Sequence, residues 1–383
     1  MPSSMKIALV TLDDPTSPRA WSGVPFGMMS GFVAGGATVI PIGPLKVPVS
    51  PVLKGIARVR NSLAADRYEF SREPLVLRSY ARQVASAVHD SQSDLIVAPG
   101  SVPVSMLDSD RPLVIWADAT VGGMIGYYDD FSTWSRRTRR VAFDAERSAL
   151  ARADLFIAAS DWAAESALRE YQLPPERVAV VPFGANTPPI PRVARRSPGQ
   201  QDVRLLSVGV DWYRKGIDTA VLAVEDLRRS GIRAHLDVVG CEVPRAQKLP
   251  EFVRVTGFLS RTTEDGRRRL DEMYRSADVF ILPTRADCFG VVFCEAAAYG
   301  LPVIAAGTGG VATAVLDGVT GLLAPAGAGP ESYAELVREL MSKPCLYEQL
   351  ARQARERYEL VLNWEQATGN LLAVVKERLS LRT

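Results

Sequence analysis

The chain has 383 residues, 47% of them hydrophobic and 23% charged. That is the balance of a globular protein, too long for one ordinary core and about right for two α/β domains. A net charge of +2 supplies no global field for nucleic acid, so nucleic-acid partners are not expected.

The opening MPSSMKIALVTLDD runs straight into an apolar segment and shows no signal-peptide architecture. The uncharged stretch 301–316 contains Pro302, Gly307, Gly309 and Gly310 and falls short of the ~20 residues a spanning helix needs. The expected location is therefore the cytoplasm, with peripheral contact at the inner membrane face as an option. Cys241, Cys288, Cys294 and Cys345 show no C-x-x-C spacing and read as free, buried thiols in a reducing compartment.

In chain order, strands are expected at 6–12 (KIALVTL), 37–42, 94–98, 113–117 (LVIWA), 155–159 and 178–181. These are short β-branched and aliphatic runs of the kind a doubly covered parallel sheet requires. Helix-period segments lie between them, including 79–90 and 138–153. Residues 186–202 carry four prolines, one glycine and three arginines and read as a linker. The alternation then restarts, with strands expected at 204–208, 235–239, 253–256, 279–282 and 303–305. A final helix is expected at 364–378. Ligands of open α/β sheets bind at the carboxyl ends of the strands, so two such modules would face a shared cleft.

The most informative stretch is 276–325, SADVFILPTRADCFGVVFCEAAAYGLPVIAAGTGGVATAVLDGVTGLLAP. A buried strand at 279–282 is followed by a turn and a helix expected from Phe289 onward. Gly290 lets a ligand approach the backbone, and the helix start is a ready anion site. Asp287 and Glu295 flank that start, and carboxylates accept hydrogen bonds from sugar and ribose hydroxyls. A second constellation is LLSVGVDWYRKGID at 205–218. There a strand ends at Gly209, and Arg214 and Lys215 lie before Gly216, placed to neutralise a diphosphate leaving group.

The spacing Asp287-CFGVVFC-Glu295 resembles the E-x7-E donor signature of family 4 retaining glycosyltransferases with the GT-B fold. The G-L-P-V-I-A and G-T-G-G segments that follow resemble that family in kind and order. The resemblance implies two Rossmann-like domains facing across a cleft: 1–187 on the acceptor side and 188–361 on the nucleotide-sugar donor side. Residues 362–383 would cross back onto the first domain as a helix. It implies that Glu295 binds the ribose, that Asp287 contacts the transferred sugar, and that the amides of Phe289, Gly290 and Val291 face the diphosphate. Lys215-Gly216 matches the family's K-G, whereas Val210 stands where the family has arginine; Arg214 is the candidate substitute. Asp287 is one methylene shorter than the family's glutamate.

In the first domain, Gly23 lies where the family has a glycine-containing loop. Asp118, after LVIWA, is the candidate for the place of a family histidine, because His89 falls near a helix end and His235 inside a strand. The implied activity is retaining, metal-independent transfer of a hexose-type sugar from a UDP- or GDP-sugar to a hydroxyl of a sugar, lipid-linked glycan or small molecule. No cofactor is implied. A GT-B phosphorylase or synthase, and a non-catalytic nucleotide-sugar-binding partner protein, are the alternatives. No metal-ligand cluster is read; Asp13-Asp14 and Asp129-Asp130 lie far from the phosphate motifs. Basic clusters at 58–60 and 136–140 read as solvated helix faces or as contacts to anionic lipid or an anionic acceptor.

Overall fold

The structure is a computed structural model that describes residues 5–47, 51–64, 66–192, 195, 202–245 and 248–379. The chain divides into two compact units, one of Met1–Pro182 with Ala367–Thr383, the other Phe183–Gln366. The opening residues 1–4, the end of the crossover segment at 380–383, and residues 193, 194 and 196–201 of the expected linker lie outside the described residues.

The first unit holds a six-stranded sheet ordered β2-β1-β3-β4-β5-β6. Its strands are β1 Lys6–Val10, β2 Thr38–Ile42, β3 Leu95–Ala98, β4 Leu113–Ala117, β5 Leu155–Ala158 and β6 Val178–Val180. Every neighbouring pair is parallel. All residues of β3, β4 and β5 are buried, so both faces of the sheet centre are covered, and the uninterrupted apolar runs follow from that. Trp116 sits fully buried in β4 and donates its indole N–H to the Val181 carbonyl at 2.9 Å.

The second unit repeats the plan with the order β12-β11-β10-β7-β8-β9. Here the strands are β7 Asp202–Val208, β8 Arg233–Val239, β9 Val253–Val255, β10 Val279–Leu282, β11 Val303–Gly307 and β12 Gly321–Pro325, again all parallel. β12 was not expected from its residues, because it opens on glycine and closes on proline. Its edge position tolerates the proline. Gly321 is required there, since a Cβ would stand 2.5 Å from the Val303 carbonyl oxygen.

Helix ends follow their capping residues. The helix expected at 138–153 runs Arg136–Arg152, because Ser135 accepts a hydrogen bond from the Thr138 amide at 3.2 Å. The helix expected at 79–90 extends to Pro74–Ser91, with Pro74 in its first turn. The helix expected from Phe289 starts instead at Val291, because Gly290 takes the left-handed φ of 82°. The final helix is Trp364–Leu379, and Arg378 at its end donates to the carbonyls of Glu176 and Val178 in the first unit, each at 2.8 Å.

The proline-rich stretch is fastened where it is described. Arg192 pairs with Glu359, and Arg355 donates to the Ile190 carbonyl at 2.8 Å. Arg195 donates to the carbonyls of Tyr274 at 2.7 Å, Arg275 at 3.2 Å and Tyr299 at 3.1 Å. Those carbonyls end the helices Glu264–Ser276 and Val291–Ala298, so one guanidinium satisfies acceptors that two helix C-termini leave without partners. Replacing Arg195 by Ala should lower the unfolding free energy in urea by about 2 kcal/mol, the scale of hydrogen bonds to a charged group. An unchanged midpoint and slope would show the clip to be idle.

Candidate active site

In the second unit the site is built where β7 and β10 end side by side. β7 stops at Val208, and a Cβ on Gly209 would lie 2.7 Å from Lys215 Cγ. Glycine therefore lets the lysine stem lie flat against the strand exit. The loop turns with the Lys215 amide donating to the Asp211 carbonyl at 3.1 Å. It ends at Gly216, with φ of 68°, where a Cβ would stand 1.9 Å from the Pro283 carbonyl oxygen. No other residue permits so close an approach to the turn after β10.

The two loops are then sewn together. The Arg285 amide donates to the Arg214 carbonyl at 2.8 Å, and the Thr284 hydroxyl donates to the same carbonyl at 3.1 Å. Arg214 Nη1 donates to the Ala286 carbonyl at 3.1 Å. Arg285 grips Asp218 through two bonds of 2.8 Å. The result is that Lys215 Nζ meets Asp287 Oδ2 at 2.5 Å, with side chains 10% and 9% exposed. A Cβ at Gly290 would crowd both the Phe293 ring and Asp287 Oδ2, and the Gly310 amide donates to the Asp287 carbonyl at 3.1 Å. Residues 209, 214, 215, 287 and 290, singled out in the sequence, are thus in one place.

The helix Val291–Ala298 begins directly after this pair. Its first N–H groups have no partner within the helix and carry the positive end of its dipole. Phe289 is 1% exposed, and its ring packs edge-on against Phe183 at 5.5 Å. Val210, at the place of the family arginine, is 67% exposed. Arg214 is committed to the turn that carries Asp287.

Glu295 lies five residues beyond Gly290, roughly 7 Å along the helix, and is held by its own partners. Its Oε2 accepts from Arg261 Nη2 at 2.5 Å and from the Tyr274 hydroxyl at 2.9 Å. Burial, and then the Glu295 carboxylate, pushes the Tyr274 hydroxyl pKa well above its usual range. Burial pulls the Arg261 guanidinium down, but Glu295 and Tyr274 outweigh it and leave it raised. Neither Arg261 nor Tyr274 stood out in the sequence. An arginine in a loop and a tyrosine on a helix carry no local sign of a long-range carboxylate partner.

Two of the residues read from sequence lie in the first unit. Gly23 is buried with φ of 83°, and Trp21 and Ser22 before it are also left-handed at 41° and 55°. Three such residues in a row turn the chain into the helix Val24–Ala34. Asp118 follows β4 and is half-buried.

Beneath that loop lies a carboxylate the sequence did not reveal. Glu146 accepts from the Val121 amide at 2.5 Å, from the Ser101 hydroxyl at 2.8 Å and from the Tyr171 hydroxyl. It thereby ties the loops after β3 and β4 together. Burial raises its pKa above the ordinary glutamate value of 4.5, against the pull of those bonds.

His89 and His235 sit near a helix end and within β8, as expected. Arg137 pairs with Glu73 and Arg139 donates to the Trp134 carbonyl, so half of the 136–140 arginines are engaged within the unit. The cysteines are free, but Cys345 is exposed rather than buried, because it lies in the first turn of the helix Pro344–Leu360. Among the described residues no group of three or more His, Cys, Asp or Glu could hold a metal, and no helix is long and apolar enough to cross a membrane.

Two family models match the chain in succession. The model for Glycosyltransferase Family 4 covers residues 49–187, and the model for glycosyl transferases group 1 covers residues 191–357. The chain belongs to glycosyltransferase family 4. A D-inositol 3-phosphate glycosyltransferase of Actinosynnema mirum is 34% identical over 251 residues, 61% of this chain and 60% of that protein. This family 4 chain spans about half to three-fifths of the length of the first curated relatives it matches.

Among solved structures it resembles sucrose-phosphate synthase from Thermosynechococcus elongatus. The TM-score is 0.72 at 19% identity, covering 98% of this chain and 99% of that one. It also resembles Anabaena HepE in complex with UDP and glucose, with a TM-score of 0.63 at 16% identity, covering 98% and 100%. These likenesses establish the GT-B fold. The group 1 model spans the buried Lys215–Asp287 pair.

The raised Glu146 pKa sets a direction for pH. A group whose folded pKa exceeds its unfolded one stabilises the fold most below the unfolded value and progressively less as pH rises through the folded value. Relative to Glu146→Gln, which does not titrate, the wild type should lose melting temperature as pH climbs from 4.5. A difference between the two proteins that stays constant from acid to neutral pH would contradict a perturbed carboxyl.

Proposed function

We propose that this chain is a retaining, metal-independent glycosyltransferase that moves a hexose-type sugar from a nucleotide diphosphate sugar to a hydroxyl acceptor. The observation that carries the reading is the buried Lys215–Asp287 pair at the ends of β7 and β10, with a helix start immediately beyond it. A lone lysine there would be costly to bury. Paired with Asp287 it is a fixed positive group beside a carboxylate, which suits a ligand with an anionic phosphate next to a hydroxyl-rich sugar.

In this reading Lys215, with the amides of Phe289, Gly290 and Val291, stabilises the diphosphate as it leaves; preorganised charge of this kind is usually the largest catalytic contribution. Gly209 and Gly216 bring the lysine close, and Arg214 keeps the Asp287 turn in place in lieu of an arginine at 210. Asp287 accepts from hydroxyls of the transferred sugar. Glu295, with Oε2 already occupied, turns Oε1 to the ribose. Gly23 and Asp118 are the first unit's candidate residues for the same reaction.

The acceptor oxygen forms its bond to the anomeric carbon on the face from which the diphosphate departs. The bond to the phosphate oxygen breaks with its electron pair, and a phosphate oxygen takes the acceptor's proton. The charge on the leaving group is met by Lys215 and backbone amides, so the scheme calls for no divalent ion. The curated relative named for D-inositol 3-phosphate makes a phosphorylated polyol the first acceptor to assay. The UDP complex makes UDP-sugars the first donors.

Lys215→Ala should lower turnover by on the order of 10²-fold or more, the scale for losing one charge stabiliser; kinetics equal to wild type would remove Lys215 from the site. Glu295→Ala should chiefly weaken nucleotide binding in calorimetry, and a wild-type affinity would refute the ribose role. Proton NMR of the product should show the donor's anomeric configuration preserved. An inverted centre would overturn the mechanism.

A further inference from the structure

Arg261 does more than neutralise Glu295. Its guanidinium forks: Nη2 meets Glu295 Oε2 at 2.5 Å, and Nη1 donates to the backbone carbonyl of Asn186 at 2.8 Å. Asn186 lies four residues after Pro182, where the chain enters the second unit, and Trp364 lies three residues before Ala367, where it leaves. The two are bonded, Trp364 Nε1 donating to Asn186 Oδ1 at 2.7 Å.

Around that bond the entering and leaving segments are tightly laced. The Ala185 amide donates to the Leu362 carbonyl at 2.9 Å. A Cβ on Gly184 would stand 2.3 Å from the Trp364 nitrogen. The Phe183 ring lies 5.6 Å from Trp364. Through Arg261, this lacing ends on the carboxylate assigned above to the nucleotide's ribose.

We propose that Arg261 is a positioning residue that couples nucleotide occupancy at Glu295 to the paired segments 183–187 and 362–366. The inference rests on the ribose role of Glu295. Arg261 and Tyr274 both occupy Oε2, which fixes the carboxylate and leaves Oε1 for the ligand. A ribose hydroxyl on Oε1 makes the whole Glu295–Arg261–Asn186 chain harder to open, because releasing Arg261 would then strand a buried carboxylate that is also holding ligand. Lysine cannot reproduce this, since one compact ammonium lacks the planar fork that spans two acceptors in fixed directions.

Hydrogen exchange by mass spectrometry on the full chain, with UDP, GDP and ADP added in turn, tests the coupling. In the wild type the diphosphate that binds should slow amide exchange severalfold in 183–187 and 362–366. Arg261→Lys should keep most of the nucleotide affinity, because an ammonium still pairs Glu295, yet lose that slowing. Arg261→Ala should bind roughly tenfold or more weakly, the scale of one charge-assisted hydrogen bond. Equal slowing in the wild type and Arg261→Lys, or nucleotide binding to the wild type with no slowing, overturns the relay and leaves the proposed function standing. A wild type that binds none of the three diphosphates overturns both.

Discussion

The arrangement depends on keeping a lysine and an aspartate together out of water. Lys215 and Asp287 are each about nine-tenths buried and touch at 2.5 Å. Isolating either charge in such a place would cost several kcal/mol, so the loop after β7 and the turn after β10 must arrive together or not at all. Two glycines permit it. Gly209 gives the lysine stem room, and Gly216 accepts the Pro283 carbonyl where any side chain would collide. Arg214 and Arg285, with Thr284, then spend their hydrogen bonds on the opposite loop. The residues around the pair are best understood as the means of holding these two groups in register.

The same logic recurs at two other buried carboxylates. Glu295 is kept by Arg261 and Tyr274, and Glu146 by two hydroxyls and a backbone amide. The first is hydrogen-bonded by a cation, whereas the second takes its hydrogen bonds from neutral donors with the charge of Arg72 nearby, and burial still drives the Glu146 pKa up. In both units the buried acid lies close to the loops that follow the strands, where open α/β sheets take their ligands.

Much of this was legible in the sequence because it is local. Uninterrupted apolar runs such as LVIWA announce doubly covered strands. The separation of Asp287 from Glu295, with Gly290 between, marks the turn from β10 into the next helix. β12 escaped because Gly321 and Pro325 look like turn residues until the Val303 backbone lies against them. The helix start was placed two residues early because the left-handed φ of Gly290 is a conformation, not a composition. The pairing of Lys215 with Asp287 across 72 residues, the Arg261 fork and the Glu146 cluster are products of tertiary folding and leave no periodic trace. The proline-rich stretch read as a linker by composition; composition did not show that Arg192 and Arg195 fasten it to Glu359 and to the backbone at 274, 275 and 299.

The central claim is that the Lys215–Asp287 pair is a receptor for a diphosphate. Calorimetric titration of the wild type and Lys215→Met with the diphosphate and monophosphate of one nucleoside tests it most directly. The wild type should bind the diphosphate at least ~10-fold more tightly, the scale of one charge-assisted hydrogen bond, and the gap should collapse in Lys215→Met. Equal affinity of the wild type for both nucleotides, or a gap that survives the loss of the lysine, would contradict the account.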